Sequence, residues 1–415
     1  MYFKKSNSIA VIAAITASVL SQQISQDPGT GGVSIEVVHL YSNEYPQGIA
    51  VSSTGRMFSN YARSLDPNNI AYTVAELTGN NTETPYPSVA INSPPGGAIN
   101  YTTNPATGAN YENYLIGVQS VVIDPLDRLW ILDTGRAAMP NGTNVYASVG
   151  GPKLIGVNLS NNTMFKTIVF PPNVVYPDSY INDIRFDLRP NVTASGHGVG
   201  YITDSSQEGR NGIIVVDLGT GKSWRHLDGT SYVHPETGFL PVIWGNTVYS
   251  LPNGPTMPIS QSTFGADGIA LSADGATLYF SAVGSRYLYS VPTARLLDDS
   301  LTSELMATQA VVSHGQKGIS DGLETDTNGF IYGGNQEDNS IIFFNPANGT
   351  VNVFARDPRM SWTDTLSVAS DGYIYFTENQ LWRTTMFYPG TDRRIKPYVL
   401  FRAKLPGNGT KVNLS

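Results

Sequence analysis

Four aspartates stand at the start of short apolar runs that recur along the chain. They are Asp183, Asp267, Asp321 and Asp364, and each directly precedes residues typical of a β-strand. If the recurring units form a ring, corresponding positions converge on its axis and these carboxyl groups crowd one end of a central channel. Clustered carboxylates repel one another unless a cation or bound protons neutralise them. The alternative is that each aspartate caps the turn before its strand by accepting backbone N–H bonds.

A histidine and a lysine lie in a glycine-flanked segment at 314–318, which we interpret as a loop leading into the fifth unit. His314 could act as a general base and Lys317 could hold an anionic group. With Asp364 they are the candidate catalytic residues, and the alternative is a solvated loop without a chemical role. The other histidines show no metal-ligand spacing, and these are His39, His197, His226 and His234.

Two aromatic residues stand beside the starts and ends of predicted inner strands. Trp362 and Tyr332 could line a funnel there and stack on an aromatic ligand. With Asp183 and Asn335 they form the predicted ligand-binding set. The alternative for the aromatic residues is packing between neighbouring units.

The recurring unit is an apolar run, a tight turn and a second β-rich run that ends in a polar residue. Asp-Gly and Asn-Gly at the turns supply the positive φ that a two-residue hairpin needs. Repeated hairpins imply stacking of units, because one hairpin alone cannot bury its faces. Six copies predict an all-β, six-bladed β-propeller whose innermost strands begin near Gly48, Ser120, Asp183, Asp267, Asp321 and Asp364.

Three segments rich in Pro, Gly, Asn and Thr lie between the copies, at 64–111, 136–180 and 223–263. They predict long loops on one rim, where propellers usually build pockets. Helical periodicity is confined to 293–309. We divide the chain into a signal peptide (1–21), a flexible segment (22–33), the propeller with its long rim loops (34–406) and a C-terminal tail (407–415).

The first residues indicate targeting to the secretory pathway. Lys4 and Lys5 precede an apolar stretch over 9–20 that is too short for a membrane span, so a cleaved signal is expected, with a signal anchor as the alternative. We therefore expect a secreted mature chain without membrane insertion. Nine Asn-x-Ser/Thr sequons predict N-glycosylation in loops, at Asn80, Asn100, Asn141, Asn158, Asn161, Asn191, Asn348, Asn408 and Asn413.

Charge and cysteine content narrow the classes of function. A formal net charge of −8 argues against nucleic acid or an anionic membrane as partner, since either would need a basic patch. The chain has no cysteine, which removes disulfides, catalytic thiolates and thiolate metal sites. A small-molecule ligand is the expected partner.

Several of these runs resemble elements of the major royal jelly/yellow protein family. Arg128 to Gly135 is similar to its LWVLDTG element, and the stretch from Asp267 to Pro292 is similar to its fourth-blade sequence. Segments 181–187, 201–205 and 371–381 also match, in order, so that the resemblance covers about 34–406, particularly to the fungal and bacterial branch. It implies a secreted six-bladed propeller with a ligand-binding funnel, whose relatives bind aromatic amines or take part in catechol and quinone pigment chemistry. The chain differs from the insect members in lacking their cysteines and having long inserts.

A weaker resemblance points to the six-bladed gluconolactonase/senescence-marker proteins, which hold a divalent cation at the funnel. Glu44 opens a segment similar to their E-G-P element, Asp267 stands where their N-G-L-A element has Asn, and Asp321 begins a D-G-L element. Asn182 would supply an amide ligand. The resemblance implies Ca²⁺ or another hard divalent cation held by Glu44, Asn182, Asp267 and Asp321, since oxygen ligands suit such ions.

These observations leave three classes of function open. The first is binding or conversion of a small aromatic, quinone-like or amine metabolite in the funnel, including an isomerase or cyclase (a pericyclase) of secondary metabolism that works by positioning and hydrogen bonds. The second is a cation-dependent, lactonase-like hydrolase. The third is a non-catalytic extracellular protein that binds partners through its rim loops.

Overall fold

The computed structural model describes residues 27–251 and 260–415. The predicted signal peptide at 1–21 lies outside these residues. The described chain is built almost entirely of short antiparallel strands, grouped into sheets that follow one another along the sequence.

Six four-stranded blades account for most of the strands, and their bounds follow in chain order. Two strands precede the first blade: β1 (Gly31–Gly32) and β2 (Ile35–Tyr41). Blade 1 contains β3 (Ile49–Val51), β4 (Met57–Asn60), β5 (Val74–Leu77) and β6 (Glu83–Pro85), and it is followed by α1 (Val89–Asn92), β7 (Ile99–Asn100) and β8 (Thr107–Gly108). Blade 2 contains β9 (Val118–Ile123), β10 (Leu129–Asp133), β11 (Lys153–Asn158) and β12 (Thr163–Val169). Blade 3 contains β13 (Ile181–Asp187), β14 (Val199–Asp204), β15 (Gly212–Asp217) and β16 (Ser223–His226).

The second half of the ring repeats this pattern. A small hairpin comes first, with β17 (Val242–Ile243) and β18 (Asn246–Thr247). Blade 4 contains β19 (Ala266–Leu271), β20 (Thr277–Ala282), β21 (Tyr287–Pro292) and β22 (Val312–Gln316), with α2 (Thr293–Leu297) and α3 (Ser303–Gln309) between its last two strands. Blade 5 contains β23 (Leu323–Thr325), β24 (Ile331–Asn335), β25 (Ser340–Asn345) and β26 (Thr350–Arg356). Blade 6 contains β27 (Thr363–Val368), β28 (Tyr373–Glu378) and β29 (Tyr398–Lys404), and 3₁₀ turns lie at Leu381–Arg383 and Pro406–Asn408.

The ring closes because the fourth strand of blade 6 comes from the N-terminal side. Strand β2 pairs antiparallel with β29, so the two ends of the propeller share one sheet. Strand β1 pairs with the outer edge of blade 5 through Gly31 and Arg356. The described part of the predicted flexible segment, 27–33, is thus placed by backbone pairing.

The first strand of each blade lies innermost and contacts the first strands of both neighbouring blades, which confirms the six-bladed propeller. Tight turns join the first two strands: Gly275 and Gly372 adopt φ values of 71° and 79° there, which β-carbon-bearing residues rarely do. Buried side chains hold adjacent blades together, as where Trp130 of blade 2 stacks on Phe186 of blade 3 with ring centroids 5.3 Å apart.

The three predicted inserts contain more structure than loops alone. Segment 64–111 includes β5 to β8, segment 136–180 includes the two outer strands of blade 2, and segment 223–263 includes β16 and the small hairpin. The composition was misleading in part because the outermost strands β6, β12 and β16 are partly exposed and take polar residues. The helical prediction for 293–309 is confirmed by α2 and α3.

The C-terminal tail packs on the ring. We call the end of the channel where the inner strands begin the upper end, and the opposite end the lower end. Leu188 N–H, at the lower end of blade 3, donates to the carbonyl of Leu414 at 2.7 Å, and Leu414 is buried. The tail therefore bridges the lower end of the channel.

Seven of the nine sequon asparagines are exposed, so a glycan there would meet no buried surface; Asn100 and Asn158 are half-buried. Glycosylation stays a prediction. In residues 27–251 and 260–415 no helix is long and apolar enough to cross a membrane.

Candidate functional site

Six polar side chains surround the upper end of the channel, one from each blade. Each directly precedes the residues that begin an inner strand's apolar run, and they divide by chemistry: blades 1 to 3 supply amides, and blades 4 to 6 supply carboxyl groups. We call this set the axial ring, and it comprises Gln47, Gln119, Asn182, Asp267, Asp321 and Asp364.

Asp183 does not occupy the position that the sequence comparison gave it. The pairing of β13 with β14 shifts between Ile181 and Ile184, and the pairing of β27 with β28 shifts in the same way between Thr363 and Leu366. Asn182 is therefore the counterpart of Asp364, and Asp183 lies one residue further along. Counting back two residues from the first apolar residue of each run, Ile184 and Leu366, gives the same assignment, so aligning the copies by position would have found it.

The acid half of the axial ring is buried. Asp267, Asp321 and Asp364 are 3%, 6% and 5% exposed. The carboxyl groups of Asp267 and Asp321 hydrogen-bond to each other, which requires a proton between them. Burial raises the pKa of Asp321 to about 6, and burial together with the charge of Asp321 raises the pKa of Asp267 and of Asp364 well above the usual range. The acid half therefore retains protons at pH values where exposed aspartates are ionised.

Amide donors fix two members of the acid half. Nδ2 of Asn182 donates to Asp267 Oδ2 and, at 2.9 Å, to Ser205 Oγ. Nδ2 of Asn379 donates to Asp364 Oδ2. These contacts orient the carboxyl groups and connect the acid half to the amide half of the ring.

Trp362 holds the third member from a strained backbone. Its indole Nε1 donates to Asp321 Oδ2 at 2.6 Å, while its φ of 141° lies where side-chain-bearing residues are rare. Glu378 stabilises this conformation by accepting the backbone N–H groups of Ser361 at 2.7 Å and Trp362 at 3.0 Å. Burial raises the pKa of Glu378 to about 7.

A buried ion pair lies below the axial ring. Nη1 of Arg185 is 2.9 Å from Asp183 Oδ2, and Nη2 is 3.5 Å from Glu324 Oε2 of blade 5. Ser120 Oγ also donates to Asp183 at 2.9 Å. Asp183 is thus neutralised within the protein, whereas the acid half of the ring has no cation paired with it among the described residues.

A tyrosine ties three blades together at the upper end. The hydroxyl of Tyr180, just before β13, donates to Gln119 Oε1 at 2.7 Å and hydrogen-bonds with Ser64 Oγ at 2.6 Å. Its pKa is raised mainly by burial, and the charges of Asp267 and Asp364 add to the effect, so the hydroxyl lies near the acid half. The hydroxyl thus links the segment after β4, which carries Ser64, to the ring residue Gln119 of β9.

The lower end encloses a small cavity of about 60 Å³ between the inner strands and the tail. Arg185, Glu324 and Lys411 line it with Leu271 and Leu414. Lys411 Nζ donates to the carbonyl of Ile123 at 2.7 Å, which fixes the tail against blade 2. A ligand larger than a few water molecules does not fit there, so the axial ring is the candidate site of the channel.

The four residues expected to hold a cation make other bonds within the protein, and the cation site stays a prediction. Glu44 lies apart, where its Oε1 accepts the backbone N–H of Ala71 at 2.8 Å and burial raises its pKa. Of the other three, Asn182 donates its amide N–H to Asp267, and the carboxyl groups of Asp267 and Asp321 bond each other. Across 27–251 and 260–415 no three His, Asp or Glu side chains are grouped so that they could hold a metal ion.

Two predicted catalytic residues lie away from the axial ring. His314 belongs to β22, the outermost strand of blade 4, and not to a loop; its Nε2 hydrogen-bonds with Ser290 Oγ at 2.8 Å. Lys317 is buried and donates to the carbonyl of Gly318 at 3.0 Å and to Ser320 Oγ. Burial lowers the pKa of Lys317 to about 7. His314 lies at the outer edge because α2 and α3 are inserted between the third and fourth strands of its blade, so that 312–316 is the fourth strand of blade 4 and not the entry to blade 5.

Two predicted ligand-binding residues also lie elsewhere. Tyr332 lies in a core cluster with Leu366 and Phe376 of blade 6. Within its own blade its ring centroid is 5.1 Å from that of Phe354, and its hydroxyl donates to Asp326 at 3.1 Å. Asn335 is half-buried at the end of β24. Trp362, Asp183 and Asp364 do lie at the upper channel.

Sequence reasoning missed several residues that shape this site. Gln47 and Gln119 occupy ring positions in the recurring unit, and aligning the copies by position instead of by residue type would have found them. Arg185 and Glu324 each follow the first apolar residue of an inner strand, where a charge facing a channel is detectable by alternation. Tyr180 and Asn379 carry no such signal, because they come from loops.

By sequence, the chain matches a protein-family model and individual proteins from insects. A family model described as "Major royal jelly protein" matches residues 116–399. "Protein yellow" of Drosophila guanche is 26% identical over 202 residues, which are 48% of this chain and 32% of the relative. The Drosophila melanogaster protein is also 26% identical over 202 residues, with 34% of its length covered. The matches thus span about a third of the length of these relatives.

Solved structures are similar to the chain at low sequence identity. A luciferin-regenerating enzyme matches with a TM-score of 0.52 and 9% identity, covering 92% of this chain and 97% of that one. A gluconolactonase from Xanthomonas campestris matches with a TM-score of 0.47 and 10% identity, covering 90% of each chain. The first supports the propeller fold.

Proposed function

Because the chain belongs to the major royal jelly protein family, we propose that it binds a small aromatic, quinone-like or amine metabolite at the upper end of the channel. The observation that carries the proposal is the acid half of the axial ring: three buried carboxyl groups, of which Asp267 and Asp321 share a hydrogen bond. Such a cluster is stabilised when a ligand supplies positive charge or hydroxyl donors in place of protons.

The amide half complements the acid half. Gln47 is buried and its Nε2 has no hydrogen-bond partner among the described residues. An unsatisfied buried donor is costly, and a carbonyl or hydroxyl oxygen of a ligand would satisfy it. A ligand with an aromatic body, an ammonium or hydroxyl group at one end and a hydrogen-bond acceptor at the other would therefore complement both halves of the axial ring. Its donor end would meet the carboxyl groups, and its acceptor end would meet the amides.

Entry of the ligand requires movement of the upper loops. The ring carboxyl groups are at most 6% exposed, and the Tyr180 hydroxyl links the segment that carries Ser64 to the ring residue Gln119. We propose that these loops open to admit the ligand and close again over it, as lids do in many binding sites.

Conversion of the bound molecule is a second candidate, supported by the shared proton. A carboxylic acid that stays protonated near neutral pH can donate a proton to a carbonyl oxygen of a quinone-like substrate. The carboxylate partner can then accept a proton from the substrate, so that an isomerisation or cyclisation leaves the pair unchanged. This step needs no nucleophile.

A thermal-shift panel tests the proposal on the purified protein. Tyramine, catechol and 1,4-benzoquinone are compared with CaCl₂ and a chelator. We expect at least one organic probe to raise the Tm by mass action and Asp321→Asn to weaken the response to tyramine. Stabilisation by Ca²⁺ alone would favour the cation-dependent, lactonase-like alternative, and no response to any organic probe would favour a protein that only binds partners through its rim.

A further inference from the structure

A second cavity lies on the upper face, outside the channel, between the loops of blades 1 and 2. It measures about 370 Å³, within the range of small-molecule sites. The segment that leads into the hairpin β7–β8 forms one wall with Ala98 and Ile99, and Ala138 forms part of another. Ile70 and Tyr101 also line it and are 78% and 65% exposed, so apolar side chains surround its mouth.

A buried guanidinium lines the same cavity. Arg63 is 8% exposed. Its Nε donates to the carbonyl of Asn69 at 3.2 Å, its Nη1 to those of Leu115 and Ile116 at 3.1 Å each, and its Nη2 to that of Asn92 at 2.7 Å. These bonds use four of the five N–H groups of an arginine, which leaves one N–H on Nη2, beside the cavity wall at Asn92.

The charge of Arg63 is not neutralised by the protein. All its bonds are to carbonyl oxygens, and within the described part of the chain no carboxylate forms an ion pair with it. Asp133 and Glu44 act on it only from a distance, and Asp133 is itself paired with Lys153 at 3.1 Å. A buried cation without an anion is unfavourable in a low-dielectric environment, and burial lowers the pKa of Arg63 accordingly.

We propose that this cavity is a binding site for a small organic anion with an apolar body, such as an aromatic carboxylate. The carboxylate would accept the free Nη2 N–H and neutralise Arg63, and the ring would lie against Ile99, Ala98 and the side chains at the mouth. Charge-assisted hydrogen bonds of this kind are the strong ones. The site is independent of the axial ring, whose carboxyl groups would repel an anion.

Titration calorimetry with 2-naphthoate tests the site, and 2-naphthamide is the uncharged probe of matched shape. We expect naphthoate to bind at one site at least about tenfold more tightly than the amide, because a hydrogen bond between charged groups is worth more than a neutral one. Ala98→Phe narrows the cavity while Arg63 itself is unchanged, and it should abolish binding. Ala194→Phe, on the exposed turn between β13 and β14, is the matched control and should bind normally.

Arg63→Gln removes the charge and should reduce naphthoate affinity to that of the amide. If this variant does not fold, because Arg63 holds four carbonyl groups, Ala98→Phe decides alone. Absence of naphthoate binding, equal affinity for the two probes, or binding that persists in Ala98→Phe would each overturn the proposal.

Discussion

The indole Nε1 of Trp362 donates to Asp321 Oδ2 at 2.6 Å, from a backbone conformation with φ at 141°. Among the described residues, this is the only aromatic N–H that bonds the acid half. Its acceptor, Asp321, is the aspartate whose pKa is raised to about 6. Strain of this kind persists where the surroundings fix it, and Glu378 supplies that restraint. The backbone conformation at Trp362, at the start of blade 6, is thus coupled to the protonation of Asp321 in blade 5.

Trp362→Phe should raise the pKa of Asp321 further, because it removes a hydrogen bond that favours the ionised carboxylate. We also expect a loss of about 1–3 kcal/mol in the free energy of unfolding, since a buried acceptor loses its partner. Carboxyl ¹³C NMR titration and chemical denaturation measure the two effects. Trp224→Phe is the control, because Trp224 Nε1 donates to the carbonyl of Leu296 at 2.8 Å, far from the ring; an unchanged Asp321 titration in Trp362→Phe would contradict the coupling.

The acid half should make stability fall as pH rises. Asp321 has a pKa of about 6 in the folded chain against 3.8 for the ordinary group. Between these values the folded state holds more protons than the unfolded one, so the contribution is full below about pH 4 and is lost as pH rises through about 6. Asp321→Asn should flatten this decline and raise the Tm at pH 7. Asp299→Asn, at an exposed pair with Lys222, should leave the profile unchanged; a steeper decline in Asp321→Asn would refute the assignment.

Binding of an amine should have the opposite dependence on pH. An ammonium ligand binds the ionised acid half, so the affinity for tyramine should rise by up to about tenfold per pH unit until the pH passes about 6, the pKa of Asp321. The ammonium itself stays charged throughout this range. Catechol is the uncharged comparison and should show little change. A tyramine affinity that is flat between pH 5 and pH 7, measured by calorimetry, would argue against contact with the acid half.

The sequence predicted the six-bladed propeller but not the arrangement of the candidate site in its channel. Blade number and inner-strand starts follow from the hairpin repeat, because period and turn chemistry are local. The position of Asn182 is local, because aligning Ile184 with Leu366 places Asn182, and not Asp183, at the ring position. The separation of Glu44 is not local, because it depends on how the segment before β3 packs against Ala71. His314 was misplaced because the connection through α2 and α3 hides the fourth strand of its blade.

Tyr180→Phe should speed entry of the ligand. The substitution removes the hydroxyl that links Ser64 and Gln119 but keeps the ring. We expect a higher association rate for whichever organic probe binds, with a smaller change in equilibrium affinity, since the loops open at less cost. Stopped-flow fluorescence measures the rate. Tyr279→Phe is a control on blade 4, and an association rate in Tyr180→Phe equal to that of the unmodified protein would show that this hydroxyl does not limit access.

Arg185 should contribute strongly to the stability of the folded chain, because it neutralises Asp183 and lies beside Glu324 inside the channel. Replacing it with Met leaves buried carboxylates without a cation, and breaking a buried pair in this way typically reduces the free energy of unfolding by about 3–5 kcal/mol. The double variant Arg185→Met with Asp183→Asn should recover part of the loss, since the uncompensated charge is gone while the shape is retained. Chemical denaturation of the single and double variants provides the comparison. If the double variant is no more stable than Arg185→Met, the loss reflects packing around the side chain and not the unpaired carboxylate.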